Sequence, residues 1–382
     1  LDLQSEDALD NILCGDRVHH GVADEPLRCA FDLETVERFL FAVSPFPVDL
    51  IRSATASGPV LDMAGKTVNA VLKEYEAGKT LILRGLDRRI PEVALCAGNL
   101  GRHFKRDIRV NAYLTPPGAQ GFPCHYDSHD VLLLQTFGVK DWQTFEPVSP
   151  TPIETASMSR ISTTVLEAYR PAFEVRDSRD FGIPTEEFTL RAGEFLFLPR
   201  GVPHEGRTSN SASIHLSVAM MGITRAEFAS LASFASALRG SRAAEYYDAG
   251  DLTCGFDGAA QELSTLIDIE MERGRLPVPL DAFASLNGVS NVGDNSVVGW
   301  RPNVVPRMVS VRGEAAFAFS DNVVRTSSAM RSAWEFVERN RSFHVRDIPL
   351  PASDMRAGFV KRLISLGVLN IVNKPAAGMH QQ

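Results

Sequence analysis

Along residues 108–221 short apolar runs alternate with polar breaks at a period of two. The runs at 108–115, 125–135, 140–146, 187–190, 194–198 and 213–220 read as strands. Pro-Pro-Gly, Phe-Gly, Arg-Ala-Gly and Pro-Arg-Gly breaks separate them. Short strands at this spacing, with no helix between them, predict a sandwich or small barrel. The stretch 147–184 alternates weakly and reads as a long loop or an insertion.

A period near 3.6 takes over on either side. Residues 63–77 predict a helix with Val68, Val71, Leu72 and Tyr75 on one stripe and Gly78 as its stop, followed by a strand at 80–84. Pro91 opens another helix running towards His103. Downstream, Thr224 and Glu227 make a capping box before the stripe Phe228, Leu231, Ala235 and Leu238, and 261–273 reads as a second helix. These amphipathic faces need cover, from a second subunit or from the chain's own core. After a connector at 286–300, helix, short strand, helix and strand follow, the last helix (353–366) ending at Gly367. That order is what a winged-helix unit would show. The expected division is therefore a β-rich domain at 1–221, a helical segment at 222–290 whose faces would suit a dimer interface, and a winged-helix-like domain at 291–382.

Composition narrows the class. With 44% hydrophobic and 23% charged residues, the chain has ample core for a globular protein. Its longest apolar runs fall far short of the ~20 residues a membrane helix needs. The 5 cysteines are scattered and lack a C-x-x-C pair, against a disulfide framework or structural zinc cluster. No basic, apolar leader is visible at the N-terminus, so a reducing cytoplasm is the default expectation. The net charge of −8 disfavours nucleic acid, and the 8 Lys/Arg against 4 Asp/Glu in residues 330–374 are not clustered.

Chemistry concentrates in His125-Tyr126-Asp127. On a strand, His125 and Asp127 share a face while Tyr126 points away. His204, after a Pro/Gly turn in Phe-Leu-Pro-Arg-Gly-Val-Pro-His, is the candidate third ligand. Two histidines and one carboxylate with open positions are the donor set of non-heme Fe(II) oxygenases. His129 continues the same face and turns either to the barrel mouth or to solvent. Lys140 follows the Phe137-Gly138 break; buried, it would call for an anionic ligand, and otherwise it is an exposed lysine beside a turn. Asn111, Tyr113 and Thr115 form a row spaced by two that faces either a polar ligand or water.

The stretch from Asn111 to Trp142, Asn-Ala-Tyr-Leu-Thr-Pro-Pro-Gly-Ala-Gln-Gly-Phe-Pro-Cys-His-Tyr-Asp-Ser-His-Asp and onward, closely resembles the JmjC-type cupin family that includes the ribosomal oxygenases. Tyr75-Glu-Ala-Gly-Lys-Thr-Leu-Ile-Leu and Gly193-Glu-Phe-Leu-Phe-Leu-Pro-Arg-Gly-Val-Pro-His-Glu look like the same family, so the resemblance spans most of 50–375. It implies a mainly β chain with helical additions, built on a double-stranded β-helix, using Fe(II), the cosubstrate 2-oxoglutarate and O2. His125, Asp127 and His204 match the metal triad. Lys140 matches the partner of the distal 2-oxoglutarate carboxylate; Asn111 and Tyr113 match the cosubstrate pocket, which Thr115 would join. The implied activity is hydroxylation of a protein or peptide side chain by a homodimer. A natural-product hydroxylase, a cupin metalloenzyme without 2-oxoglutarate and a non-catalytic binding module are the rivals. Cys124, His129 and the length of 147–184 depart from the family pattern.

Overall fold

The computed structural model describes residues 17–23, 31–104, 106–147, 181–222, 278, 280–311, 314–319 and 322–372. Of the sequence-based expectations, the helices at 224–240 and 261–273 and nearly all of the 147–184 stretch lie outside these residues. The chain divides into two compact units, Leu1–Gly222 and Ile223–Gln382.

In the first unit the strands are β1 (His19–Val22), β2 (Ile51–Ala54), β3 (Leu61–Asp62), β4 (Thr80–Leu83), β5 (Asp107–Thr115), β6 (Asp130–Thr144), β7 (Glu186–Arg191), β8 (Glu194–Leu198), β9 (His204–Arg207) and β10 (Ser213–Met221). The main sheet runs β1-β8-β6-β10-β5-β4-β2-β3, and β7 and β9 pair with β6 off this path. The strand β6 is the hinge of the architecture. Its first half, Val131–Leu134, pairs with β8, and its second half, Asp141–Thr144, pairs with β9. The sequence reading broke this strand into two at Phe137-Gly138. The glycine does adopt φ +68°, but the chain bends through it from one sheet into the other instead of reversing.

Three helices flank the main sheet. In α1 (Leu33–Ala42), Asp32 caps the start by accepting from the Thr35 amide at 2.9 Å. The helix expected from Met63 begins only at Val68, as α2 (Val68–Glu76): Leu61–Asp62 pairs with β2 as a strand, and Gly65 turns the chain at φ +70°. The helix α3 (Pro91–Phe104) starts at its proline, whose missing N–H costs nothing in the first turn. Val36, Phe39, Leu40, Val93, Ala97 and Leu100 join Leu81, Leu83, Ala112 and Leu114 in one core, which covers one face of the sheet. The other face is left to line a cavity.

The second unit has its own core around Phe317, Trp334, Val337, Phe359 and Leu363. The connector expected at 286–300 is structured: it continues α4 (Ala282–Gly288) and supplies β11 (Val297–Trp300), the central strand of a three-stranded sheet. Its flanking strands are Ser342–His344 and Leu369–Ile371. Helices Arg331–Arg339 and Ser353–Ser365 pack on this core, the latter ending where Gly367 turns at φ +78°.

Candidate metal centre

His125 and Asp127 are not on a strand, as the two-residue alternation predicted. They sit in a segment tied down by a few backbone bonds. The His125 amide donates to the His204 carbonyl at 3.1 Å, and the His204 amide donates back to His125 at 2.8 Å. The Gly201 amide donates to the Asp127 carbonyl at 2.9 Å. This isolated bridge, not alternation, brings residues 79 positions apart in sequence (204 − 125) side by side.

Each imidazole is oriented by the same local device. His125 Nδ1 lies 2.9 Å from the Pro123 carbonyl and His204 Nδ1 lies 3.1 Å from the Val202 carbonyl. A carbonyl can only accept, so both Nδ1 atoms carry the proton and both Nε2 atoms present lone pairs. His204 Nε2 stands 3.8 Å from Asp127 Oδ2, and one ligand atom from each of His125, Asp127 and His204 lies within 4.8 Å of the others. Burial, reinforced by neighbouring His125, pushes the His204 imidazole below its ordinary range and keeps it neutral. Neutral imidazoles facing a carboxylate form a donor set that fits a divalent iron with open positions.

These residues line a cavity of about 320 Å³. Across its floor the register of β5, β10 and β6 sets side chains in rows. Tyr113, His215 and Gln135 form one row, and Asn111, Ser217 and Leu133 the next. The second half of β6 faces them with Lys140 and Trp142, both buried. Lys140 Nζ donates to Thr115 Oγ1 at 3.1 Å and lies 5.0 Å from the Trp142 ring centroid. No carboxylate pairs with it among the described residues. Burial alone pulls its ammonium down to about 7. The Tyr113 ring stacks on His215 at 5.0 Å; burial, then the Asp127 charge, pushes its phenol up to about 12, so it remains a neutral donor. Burial likewise drives His215 well below the ordinary imidazole range. Asn111 reaches the cavity and accepts from the Gly85 amide at 3.0 Å.

The structure thus brings together His125, Asp127, His204, Lys140, Asn111 and Tyr113 at one cavity, with His129 also on its wall. Thr115 stands behind that wall, as the hydrogen-bond partner of Lys140. Sequence reading missed His215, Ser217, Trp142 and Glu205. The first two share the period of two that marked the Asn111 row, so their signal was present in the strand 213–220. Trp142 follows Lys140 by two, and Gly206 opposite it leaves room: a Cβ there would lie 2.7 Å from the indole.

Two antiparallel sheets that share β6, with a histidine–carboxylate–histidine cluster at the cavity they line, have the form of a cupin-type fold. Residues 99–228 match the model of the JmjC domain. It is 34% identical over 149 residues to the bifunctional lysine-specific demethylase and histidyl-hydroxylase NO66 of Dictyostelium discoideum, covering 39% of this chain and 26% of that one. It is 29% identical over 175 residues to ribosomal oxygenase 2 of Mus musculus, covering 45% and 34%. The matches therefore span a quarter to a third of these relatives' lengths. Among solved structures, the Escherichia coli ribosomal oxygenase YcfD shares the fold at a TM-score of 0.56 and 14% identity, over 97% of this chain and 99% of that one. A second YcfD structure, in complex with cobalt and 2-oxoglutarate, aligns at a TM-score of 0.52 and 14% identity, covering 98% and 99%.

Proposed function

We propose that this protein is an Fe(II)- and 2-oxoglutarate-dependent oxygenase that hydroxylates an unactivated C–H bond on a protein side chain, with a ribosomal protein as the favoured substrate. The observation that carries the reading is the pairing, in one cavity, of a three-residue donor set with a buried lysine that has no acidic partner among the described residues. His125, Asp127 and His204 are the metal ligands. Lys140 is the cation for the distal carboxylate of 2-oxoglutarate, held in place by Thr115. Tyr113 and Asn111 supply hydrogen bonds to the rest of the cosubstrate.

With its cosubstrate, the bound iron supplies the O2 activation, giving hydroxylated product, succinate and carbon dioxide. The chain's share is positional. The Pro123 and Val202 carbonyls fix both imidazoles with Nε2 inward. Val131, Leu133, Trp142 and Ala219 keep the cavity wall apolar and exclude water. A cupin that works without 2-oxoglutarate leaves the cost of burying Lys140 unexplained. Similarity to NO66 and ribosomal oxygenase 2 supports a ribosomal protein over a small natural product.

The order of helix Arg331–Arg339, strand Ser342–His344, helix Ser353–Ser365 and strand Leu369–Ile371 supports a winged-helix-like domain, preceded by a three-stranded antiparallel sheet of Arg307–Val311, Glu314–Phe319 and Asn322–Arg325. A homodimer in the cytoplasm is the assembly and location that accompany this reading. No described helix is long and apolar enough to cross a membrane. The test is mass spectrometry of ribosomal proteins incubated with enzyme, Fe(II), ascorbate and 2-oxoglutarate. One added oxygen on a single residue is expected, absent with His204→Ala; unmodified proteins alongside active 2-oxoglutarate turnover would contradict the substrate.

A further inference from the structure

The register of the cavity floor gives it two chemically different ends. Along β6 the inward positions are Val131, Leu133 and Gln135, opposite Ala219, Ser217 and His215. On the neighbouring strand, Asn111 and Tyr113 lead to Thr115, which holds Lys140. That end suits a carboxylate. Two residues before Val131, just ahead of the start of β6, His129 lines the cavity beyond the opposite end of this floor. Between the two ends the floor at Val131, Leu133 and Ala219 is apolar.

His129 is poorly satisfied by the protein itself. Its Nδ1 is shut off from water and has no hydrogen-bond partner among the described residues. Since that nitrogen is sealed, Nε2 is the one able to meet a molecule in the cavity. The imidazole therefore offers the cavity one hydrogen-bonding nitrogen.

We propose that His129 is a substrate-positioning residue whose Nε2 hydrogen-bonds to a peptide group of the protein substrate, next to the side chain whose stem lies over Val131, Leu133 and Ala219. The proposal rests on the oxygenase reading above. A peptide group is the polar partner that every polypeptide presents beside the reacting residue. One such bond fixes the backbone and so decides which carbon faces the metal.

The test uses the full-length protein loaded with Fe(II), and ribosomal proteins extracted from bacterial ribosomes as the probe. His129→Phe keeps the ring volume and removes both nitrogens. His129→Gln returns an amide group near the Nε2 position, and His129→Asn returns one near Nδ1. At the residue the wild-type enzyme modifies, His129→Phe is expected to raise KM about tenfold, the worth of one buried hydrogen bond, and to lower product oxygen per succinate. Gln should recover most of that loss and Asn little. The 2-oxoglutarate titration midpoint, read from visible absorption without O2, should stay within about twofold of wild type, because His129 lies at the other end from Lys140. Wild-type coupling in His129→Phe, equal behaviour of Gln and Phe, or a matching shift of the 2-oxoglutarate midpoint would each overturn the assignment. A wild-type protein that neither binds nor consumes 2-oxoglutarate would instead overturn the oxygenase reading, and this inference with it.

Discussion

An ammonium group beside an indole and one hydroxyl carries a desolvation cost that no carboxylate among the described residues offsets. Lys140 sits in that position, 3% exposed, with its charge pulled down to about 7. Its replacement by methionine, which fills the same volume without charge, should stabilise the ligand-free protein by about 1–2 kcal/mol, or several degrees in Tm, while abolishing 2-oxoglutarate binding. Differential scanning calorimetry with and without 2-oxoglutarate checks both halves; a destabilised variant would mean that the lysine has an unseen anionic partner. A pH dependence follows from the same group. The carboxylate needs the protonated amine, whose value in the free protein is about 7, so binding takes up a proton above that pH. The apparent 2-oxoglutarate Kd should be flat below pH 7 and rise towards about tenfold per pH unit above it. A flat profile to pH 9 in calorimetric titrations would remove Lys140 from the carboxylate site.

Strands and turns were legible in the sequence wherever the signal was local. The limits of β5, β8 and β10 follow from two-residue alternation, and α3 from its opening proline. What was not legible is pairing across distance. Gly138 was read as a reversal because a positive φ serves a turn and a bend equally well. Only the partners β7 and β9, from residues 186–207, show that β6 runs on. The His125–Asp127 segment teaches the same lesson: residue type singled out His125, Asp127 and His204, which do cluster, but they are held by a bridge between His125 and His204 and not by strand alternation. The bend at Gly138 also makes a sharp prediction. A Cβ there would lie 1.9 Å from the Ala212 carbonyl oxygen, at a φ that L-residues avoid. Gly138→Ala should cost about 2–4 kcal/mol, seen as a lower urea midpoint, and should weaken 2-oxoglutarate binding because Lys140 lies two residues beyond. A neutral substitution would mean that the two halves of β6 move independently.

At the scale of the whole chain, two compact units with separate cores meet in sequence at Gly222–Ile223. Every residue of the metal and cosubstrate site belongs to the first unit. Ligand binding stabilises only what it contacts unless the units are energetically coupled. Calorimetry is therefore expected to resolve two transitions, with Mn(II) plus 2-oxoglutarate raising one of them, a rise lost in His125→Ala, and leaving the other in place. A single transition that shifts as a whole would show that the second unit shares the stability of the site. The sequence itself changes texture after Met221, from a period of two to helical stripes.

The central claim is that His125, Asp127 and His204 hold one iron whose open positions accept 2-oxoglutarate while Lys140 grips its far end. Anaerobic titration of the Fe(II)-loaded protein with 2-oxoglutarate tests this most directly, since chelation of the keto acid by the iron produces a visible absorption band. The account predicts a saturable band in the wild type, its loss in His125→Ala and His204→Ala, and a midpoint raised at least tenfold in Lys140→Ala. A wild-type protein with no band, or a band of full strength in His204→Ala, would contradict it.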